Sequence, residues 1–567
     1  MFLILLSWIY ILAISIVLGL TINKLLKVFS TDSVIIIFLG FFGITIFTGF
    51  WAIFFAVNWQ FHIALFVISA IALKLNGLSL NSYIANLKKE IKALSIFLKA
   101  ILTLIIILIL AQCTSPPFLL DNESYYIQTI KWLNEYGFVK GLVNLHLFLG
   151  QTSGWHILQS AFSFSFLYNS FNDLSGLCLL LGNYYALIRL NSYISNAEKS
   201  KVNLIIGLFP LFNVFLFQFI SAPSPDIAVY VIGLIVFYQF IECYFNFNKT
   251  SFFVISILTL FLVFIKLSTI LFCVFPLVIF IKYYKQSKKH IKPLLLFGSL
   301  TLILLIIKNA IITGNVIYPL ASIESLSFDW KLPKTIETYF HNYGLAYGYN
   351  LSPDVFEIAT GFERLKNWLL QTNLHGVFNG LMIVLLLISP WFILKSKHKT
   401  SFGFIYVVAI INLVFLLTVS PQYRFFFPFI LILSLLILSA FIYKQKTIKI
   451  IIGFGLVMTA MSLFFSMNVS KLTEDNMQEA THTFKVDYVI KPHSNSLFET
   501  GYEVLNIESI SINAPTAIDF FWGTGDLPLP SVNKQQLEYF KTYFNIIPQQ
   551  RTEDVKDGFY SKALEND

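Results

Sequence analysis

The chain has 567 residues, 57% of them hydrophobic and 12% charged, with a formal net charge of +9 and a mean hydropathy of +0.74. No water-soluble fold can hide that apolar fraction, so lipid is the solvent for most of the chain. The positive charge does not indicate nucleic acid: only Arg189, Arg364, Arg424 and Arg551 are arginines, and the lysines gather in short clusters between apolar runs, the pattern that orients membrane helices.

Apolar runs near bilayer length predict about fourteen spans, near 1–20, 34–56, 59–75, 93–113, 173–190, 203–220, 226–243, 251–265, 267–283, 293–312, 375–394, 401–419, 425–443 and 448–467. The first lacks a basic leader and a small-residue cleavage site, and Lys24 and Lys27 follow it, so it reads as a retained span with its N-terminus outside. Counting onward, Lys88/Lys89/Lys92, Arg189/Lys199/Lys201, Lys249, Lys282 to Lys292, Lys395 to Lys399 and Lys444 to Lys449 all fall on one side, which assigns it to the cytoplasm. The opposite side receives 114–172, 313–374, the tail 468–567 and the turns "SAPSPD" and "SPQYR". Within the first of these, 155–170 is apolar but must not cross, so it lies in the interface or re-enters. Span 251–265 is short and is followed by "FIKLST", which suggests a tilted or broken helix.

Three units follow: N-terminal helices over 1–92, a transmembrane core over 93–467 with its two outer loops, and a small extracytoplasmic C-terminal domain over 468–567. In the last, "YEVLNIESISI" alternates like short strands. The fold class is thus an all-α polytopic membrane protein with a small extracytoplasmic domain. Cys113, Cys178, Cys243 and Cys273 lie in or at the ends of apolar segments without metal-ligand spacing and read as small buried hydrophobes. No cytoplasmic loop carries a Gly-rich phosphate cradle, and "WGTGD" (522–526) precedes no helical pattern and reads as a turn. An enzyme of this layout has its site on the outer side.

Ionisable groups at span ends are candidates for that site, because charge at membrane depth is costly unless paired or used. Asp121 and Glu123 follow span four, Asp226 opens span seven, Lys266 separates spans eight and nine, and Arg424 begins span thirteen. Lys308, Asn309, Gly314, Asn315 and Tyr318 mark the outer end of span ten. Each also has a structural reading. Asp121 or Asn122 can cap the helix whose face carries Tyr126, Ile127, Ile130 and Leu133, and Gly137 can end it. Asp226 can be an N-cap after "SAPSP", and Lys266 can snorkel to the surface. Arg424 stands out because arginine is scarce here and its planar fork suits phosphate. His146 and His156 have no partner at ligand spacing and read as structural; Trp132, Trp155, Tyr125 and Tyr126 read as interfacial anchors.

Taken together, "LLDNESYYIQTIKWLNEYGFVKGLVNLHLFLGQTSGWH" (119–156), "SAPSPDIAV" (221–229), "FIKLST" (264–269), "KNAIITGNVIYP" (308–319) and "PQYRFFF" (421–427) resemble the GT-C-type integral-membrane glycosyltransferases. More closely they look like an uncharacterised bacterial branch of multi-pass proteins encoded with surface-polysaccharide genes. The resemblance covers roughly 93–430, with one departure: three spans precede the one that feeds the acidic loop.

It implies a GT-C-like core in the bacterial cytoplasmic membrane that moves a sugar from a polyprenyl-phosphate donor to a glycan, lipid or protein acceptor during cell-envelope polysaccharide assembly. Asp121, or else Glu123, would then be the general base. Arg424 and Lys266 would stabilise the leaving phosphate, Asp226 would orient the acceptor or Lys266, and Lys308, Asn315 and Tyr318 would complete the substrate site. A divalent metal stays open, since some enzymes of the type use none. Two other readings are a polysaccharide polymerase or ligase, with essential Arg and His in its outer loops, and a flippase of lipid-linked glycans, with midplane charges and two related halves.

Overall fold

The computed structural model describes residues 1–28, 30–164, 166, 173–196, 199–319, 327–468 and 483–564. Among them, eleven helices are long and apolar enough to cross a membrane: Phe2–Leu25, Ser33–Ala52, Trp59–Ala93, Ile96–Cys113, Lys201–Phe219, Pro225–Phe245, Tyr284–Thr313, Leu374–Leu394, Lys399–Val419, Tyr423–Phe441 and Gln445–Phe464. Helices are what such segments must form, because lipid offers no partner to backbone N–H and C=O groups. The other three predicted spans coincide with helices that fall short of that standard. Leu174–Ser195 is long enough but carries Asn183, Arg189 and Asn191, and Lys249–Ile265 and Leu267–Lys282 are too short. The chain breaks at Lys266, whose extended backbone separates the last two, as "FIKLST" suggests.

Capping side chains set several helix starts: Asp32 accepts from the N–H groups of Val34 and Ile35, and Asn58, Ser95, Asp173, Asn248 and Asn373 do the same elsewhere. The first two helices approach closely because glycines face each other. A Cβ on Gly40 would lie 2.0 Å from the Ser15 carbonyl oxygen, and one on Gly19 would lie 2.0 Å from that of Ile36. Gly40→Ala is therefore expected to cost more than the roughly 1–3 kcal/mol typical of overpacking, since backbone rather than a side chain must yield. Thermal unfolding of the detergent-purified variant measures this, and an unchanged midpoint would contradict it.

Pro225–Phe245 is buried almost throughout and forms the centre of the bundle. Its neighbours include Leu174–Ser195, Lys249–Ile265 and Tyr423–Phe441. The segment after Ile96–Cys113 folds back over the bundle rather than lying at its edge. Gly154–Ala161 is buried along its whole length against Ser33–Ala52 and Lys249–Ile265; residues 165 and 167–170 of the predicted re-entrant stretch lie outside the described residues. Trp132, Trp155 and Tyr126 are at most 2% exposed, so they are interior packing groups, not interfacial anchors.

The C-terminal segment holds two antiparallel pairs, β1 (Tyr502–Ile507) with β2 (Ile510–Pro515) and β3 (Ile546–Gln550) with β4 (Phe559–Ala563), and the helix Lys534–Phe544. "YEVLNIESISI" is the first hairpin, as its alternation predicts. Residues 469–482 and 565–567 of the predicted domain lie outside the described residues. The segment docks on the loop that follows Ile96–Cys113. Gln128 donates to the Gly525 and Leu527 carbonyls, Lys131 pairs with Asp526 at 3.0 Å, and Gln536 donates to the Leu145 carbonyl. The N-terminal ammonium of Met1 donates to the Tyr488 and Val489 carbonyls, which puts the chain's first residue at this same end.

Candidate functional site

Four of the predicted charges meet. Arg424 Nη1 is 2.5 Å from Asp121 Oδ2 and 3.9 Å from Asp226 Oδ2, while Lys266 Nζ binds Asp226 Oδ1. The cluster alternates in sign, Asp121–Arg424–Asp226–Lys266, and joins residues from four separate helix ends. Asp226 is 1% exposed, whereas the side chains of Asp121, Arg424 and Lys266 are 22–24% exposed, so one carboxylate is sealed and three charges are partly accessible.

Local structure explains why these side chains are available. Asp121 lies in the first turn of a helix that continues through a π-helical turn, Asn122–Tyr126, into Ile127–Glu135. Its own backbone is helical and its side chain caps nothing; it turns to Arg424 and accepts from the Tyr126 hydroxyl at 3.3 Å. Such π-turns are frequent at functional sites. Asp226 is likewise not the cap: Ser224 caps the helix by accepting from the Asp226 N–H, and Pro225 fits the first helical position. The Asp226 carboxylate is thereby free to hold Lys266. That lysine does not snorkel outward; its ammonium also lies 4.3 Å from the centre of the Phe425 ring. Arg424 is oriented by Gln422, which accepts from its Nε at 2.8 Å. Four residues on, Pro428 has no N–H to give the Arg424 carbonyl, and the Tyr230 hydroxyl donates to it at 3.2 Å instead.

Burial alone would raise the Asp121 carboxyl, but the charge and hydrogen bond of Arg424, with help from Lys266 and Tyr126, outweigh it and hold the group below the usual aspartate range. His156, which by sequence reads as structural, is fully buried against Tyr126 at 4.8 Å between ring centres. It is within electrostatic reach of Lys308, Asp121 and Lys266. Burial first, and then the Lys308 charge, push it down to about 3, so it is neutral. No local signal in "GWH" could reveal this placement, which comes from the fold of the loop. His146 is a neutral bridge: its Nε2 donates to the Trp522 carbonyl and its Nδ1 accepts from the Phe148 N–H.

The other predicted site residues are used elsewhere. Glu123 is 1% exposed and accepts from Asn122, the Ser496 hydroxyl and the Leu497 N–H, while its carbonyl accepts from the N–H groups of Thr524 and Gly525. It fastens the C-terminal segment to the helix that carries Asp121, and "WGTGD" is the turn that meets it. Glu123→Ala strands several of these donors, each costing about 1–3 kcal/mol when left unsatisfied in the interior. Faster hydrogen exchange over 483–527 is the expected result, and unchanged protection would contradict the clamp. Lys308 donates to the Thr152 carbonyl, Asn315 to Glu337, and Tyr318 to the Leu147 carbonyl while stacking on Phe340. Lys308 and Tyr318 tie residues 147–152 to the end of Tyr284–Thr313 and the chain just after it, Asn315 ties that chain to Glu337, and none of the three is bonded into the four-charge cluster.

Among the described residues no group of three or more His, Cys, Asp or Glu side chains is placed to hold a metal ion. Asp121 and Asp226 are each matched by a cation of the protein. No curated protein and no solved structure matches the chain. A family model described as a domain of unknown function does match, over residues 1–431, a stretch that contains all four clustered charges and ends before Gln445–Phe464 and the C-terminal segment. On that coverage the chain belongs to the DUF8201 family.

Proposed function

We propose that the protein is a GT-C-type glycosyltransferase of the bacterial cytoplasmic membrane, moving a sugar from a polyprenyl-phosphate donor to an acceptor hydroxyl on the outer face. The observation that carries this reading is the partly accessible Asp121–Arg424–Lys266 group anchored on buried Asp226. It offers a carboxylate beside two cations at the end of a helical bundle, where a lipid tail can lie between spans and its phosphate can reach Arg424.

In the resting state Arg424 occupies Asp121 and keeps it a weak base. A donor phosphate draws the guanidinium fork and Lys266 toward itself, which leaves Asp121 with less positive charge and makes it more basic. The acceptor oxygen then attacks the anomeric carbon, the bond from that carbon to the phosphate oxygen breaks, and the acceptor proton passes to Asp121. The leaving polyprenyl phosphate gains one negative charge, which Arg424 and Lys266 meet. Asp226 keeps Lys266 in place throughout.

Loss of the protein from cells should remove one surface-glycan modification and raise the membrane pool of a polyprenyl-phosphate sugar. Lipid extraction and mass spectrometry measure the pool. An unchanged pool and unchanged surface glycans in the deletion strain would refute the proposal.

A further inference from the structure

The end of the bundle opposite the four-charge site contains a cavity of about 640 Å³ lined by polar groups. Asp226 and Glu242 belong to one helix, Pro225–Phe245, so the cavity lies roughly 24 Å from the first site at 1.5 Å of rise per residue. Its lining includes Asp32, Glu90, Arg189, Gln239, Glu242 and Ser251.

The charges in the wall are unequal in what they have left to offer. Arg189 is largely committed: its Nη2 pairs with Asp32 and its guanidinium is sandwiched between the rings of Tyr185 and Tyr238 at 4.5 and 4.6 Å, although its buried Nε has no hydrogen-bond partner among the described residues. Asp32 is also committed, since it caps Ser33–Ala52 as well as pairing with Arg189. Glu90 accepts hydrogen bonds from the neutral hydroxyls of Ser33 and Tyr184 and lies within electrostatic reach of Arg189, which is itself paired with Asp32. Glu242 makes no hydrogen bond or ion pair among the described residues. Two further acceptors are unused although their side chains are more than nine-tenths buried. The Gln239 amide donates to the Tyr185 hydroxyl while its oxygen has no partner, and the Ser251 hydroxyl has none among the described residues. What the cavity presents is therefore mainly a set of acceptors, three carboxylates against one guanidinium, in a volume far larger than a metal ion needs. Its walls are built from helix ends, at the depth where lipid headgroups lie.

We infer that this cavity binds a primary ammonium group, with Glu90 and Glu242 as counter-ions and Gln239 and Ser251 as neutral acceptors. An ammonium has three donors and no acceptor, which matches this lining in both charge and hydrogen-bonding sense. The group can come from an amine-bearing phospholipid headgroup or from a free polyamine. This inference is independent of the transfer chemistry at Asp121.

Native mass spectrometry of the full-length protein, with phosphatidylethanolamine and with phosphatidylglycerol in separate mixtures, tests the lipid source. Calorimetric titration with spermidine tests the free amine. At least one amine probe should bind, phosphatidylglycerol and fully acetylated spermidine, which has no ammonium left, should not compete, and Glu90→Gln should weaken binding about tenfold or more. Glutamine still accepts from Ser33 and Tyr184, so that variant keeps the local fold, and Glu242→Gln on the exposed helix end provides a second measure. Retention of phosphatidylethanolamine alone identifies a headgroup site, and retention of spermidine identifies a soluble ligand. Absence of both, or binding unchanged in the Glu90→Gln/Glu242→Gln double variant, would overturn the inference.

Discussion

Arg424→Ala should lower sugar transfer by about 10²–10³-fold, the range seen when a donor that stabilises developing negative charge is removed. The size of the effect follows from its position. Arg424 is the link between Asp121 and Asp226, and it is the partly accessible planar fork in the cluster. In the proposed transfer, alanine removes the group that would meet the leaving phosphate, and it leaves the resting Asp121 without its cation. Arg424→Lys should recover part of the loss, because a point charge replaces the charge but not the two parallel donors. Turnover of a lipid-linked sugar at matched protein abundance measures both variants. Near-normal turnover in Arg424→Ala would remove the phosphate role.

Asp121→Asn is expected to lower transfer by about 10²–10⁴-fold, the usual range for loss of a positioned general base. The variant is informative because asparagine still offers Arg424 an oxygen and can still accept from Tyr126, so the fold has no reason to change. The pH dependence carries a sign that separates this account from a merely structural carboxylate. In the free protein Arg424 holds Asp121 below the usual aspartate value, so the acid limb of kcat/KM should lie at lower pH than an ordinary aspartate would place it. Once the donor phosphate has drawn Arg424 away, the carboxyl is more easily protonated, and the acid limb of kcat should sit at higher pH. Acid limbs that coincide would contradict the displacement of Asp121 by the donor.

Much of this arrangement was legible in the sequence, for identifiable reasons. Lipid leaves helices as the only economical form for long apolar runs, so the spans follow from hydropathy, and the three that fall short of crossing length or apolarity contain polar residues or the Lys266 break. The convergence of Asp121, Asp226, Lys266 and Arg424 followed from counting which helix ends share a side. Local rules erred where they treated each acid separately. Capping is the common use of an acid at a helix start, yet Ser224 takes that task from Asp226, and Asp121 sits inside the first turn rather than before it. Glu123 was paired with Asp121 only by nearness in sequence. Glu123 lies within the π-helical turn that begins at Asn122, just past Asp121, and meets a segment more than 370 residues later. Long-range docking of that kind leaves no local pattern, and the same holds for Lys308, Asn315 and Tyr318, whose partners are loop carbonyls and Glu337. Trp132 and Trp155 looked like membrane anchors because composition cannot say that a loop folds back over the bundle.

The proposed transfer requires Asp121 to accept a proton while a polyprenyl phosphate leaves toward Arg424. The most direct measurement is release of polyprenyl phosphate from synthetic polyprenyl-phosphate sugars by the purified protein in lipid nanodiscs, followed by phosphorus NMR. The wild-type protein should convert the phosphodiester signal of at least one donor into a phosphomonoester signal when an acceptor is present, and Asp121→Asn should leave the donor intact over the same time. Equal release by the two proteins, or no release by the wild type from any donor in the presence of its cell-derived acceptors, would contradict it.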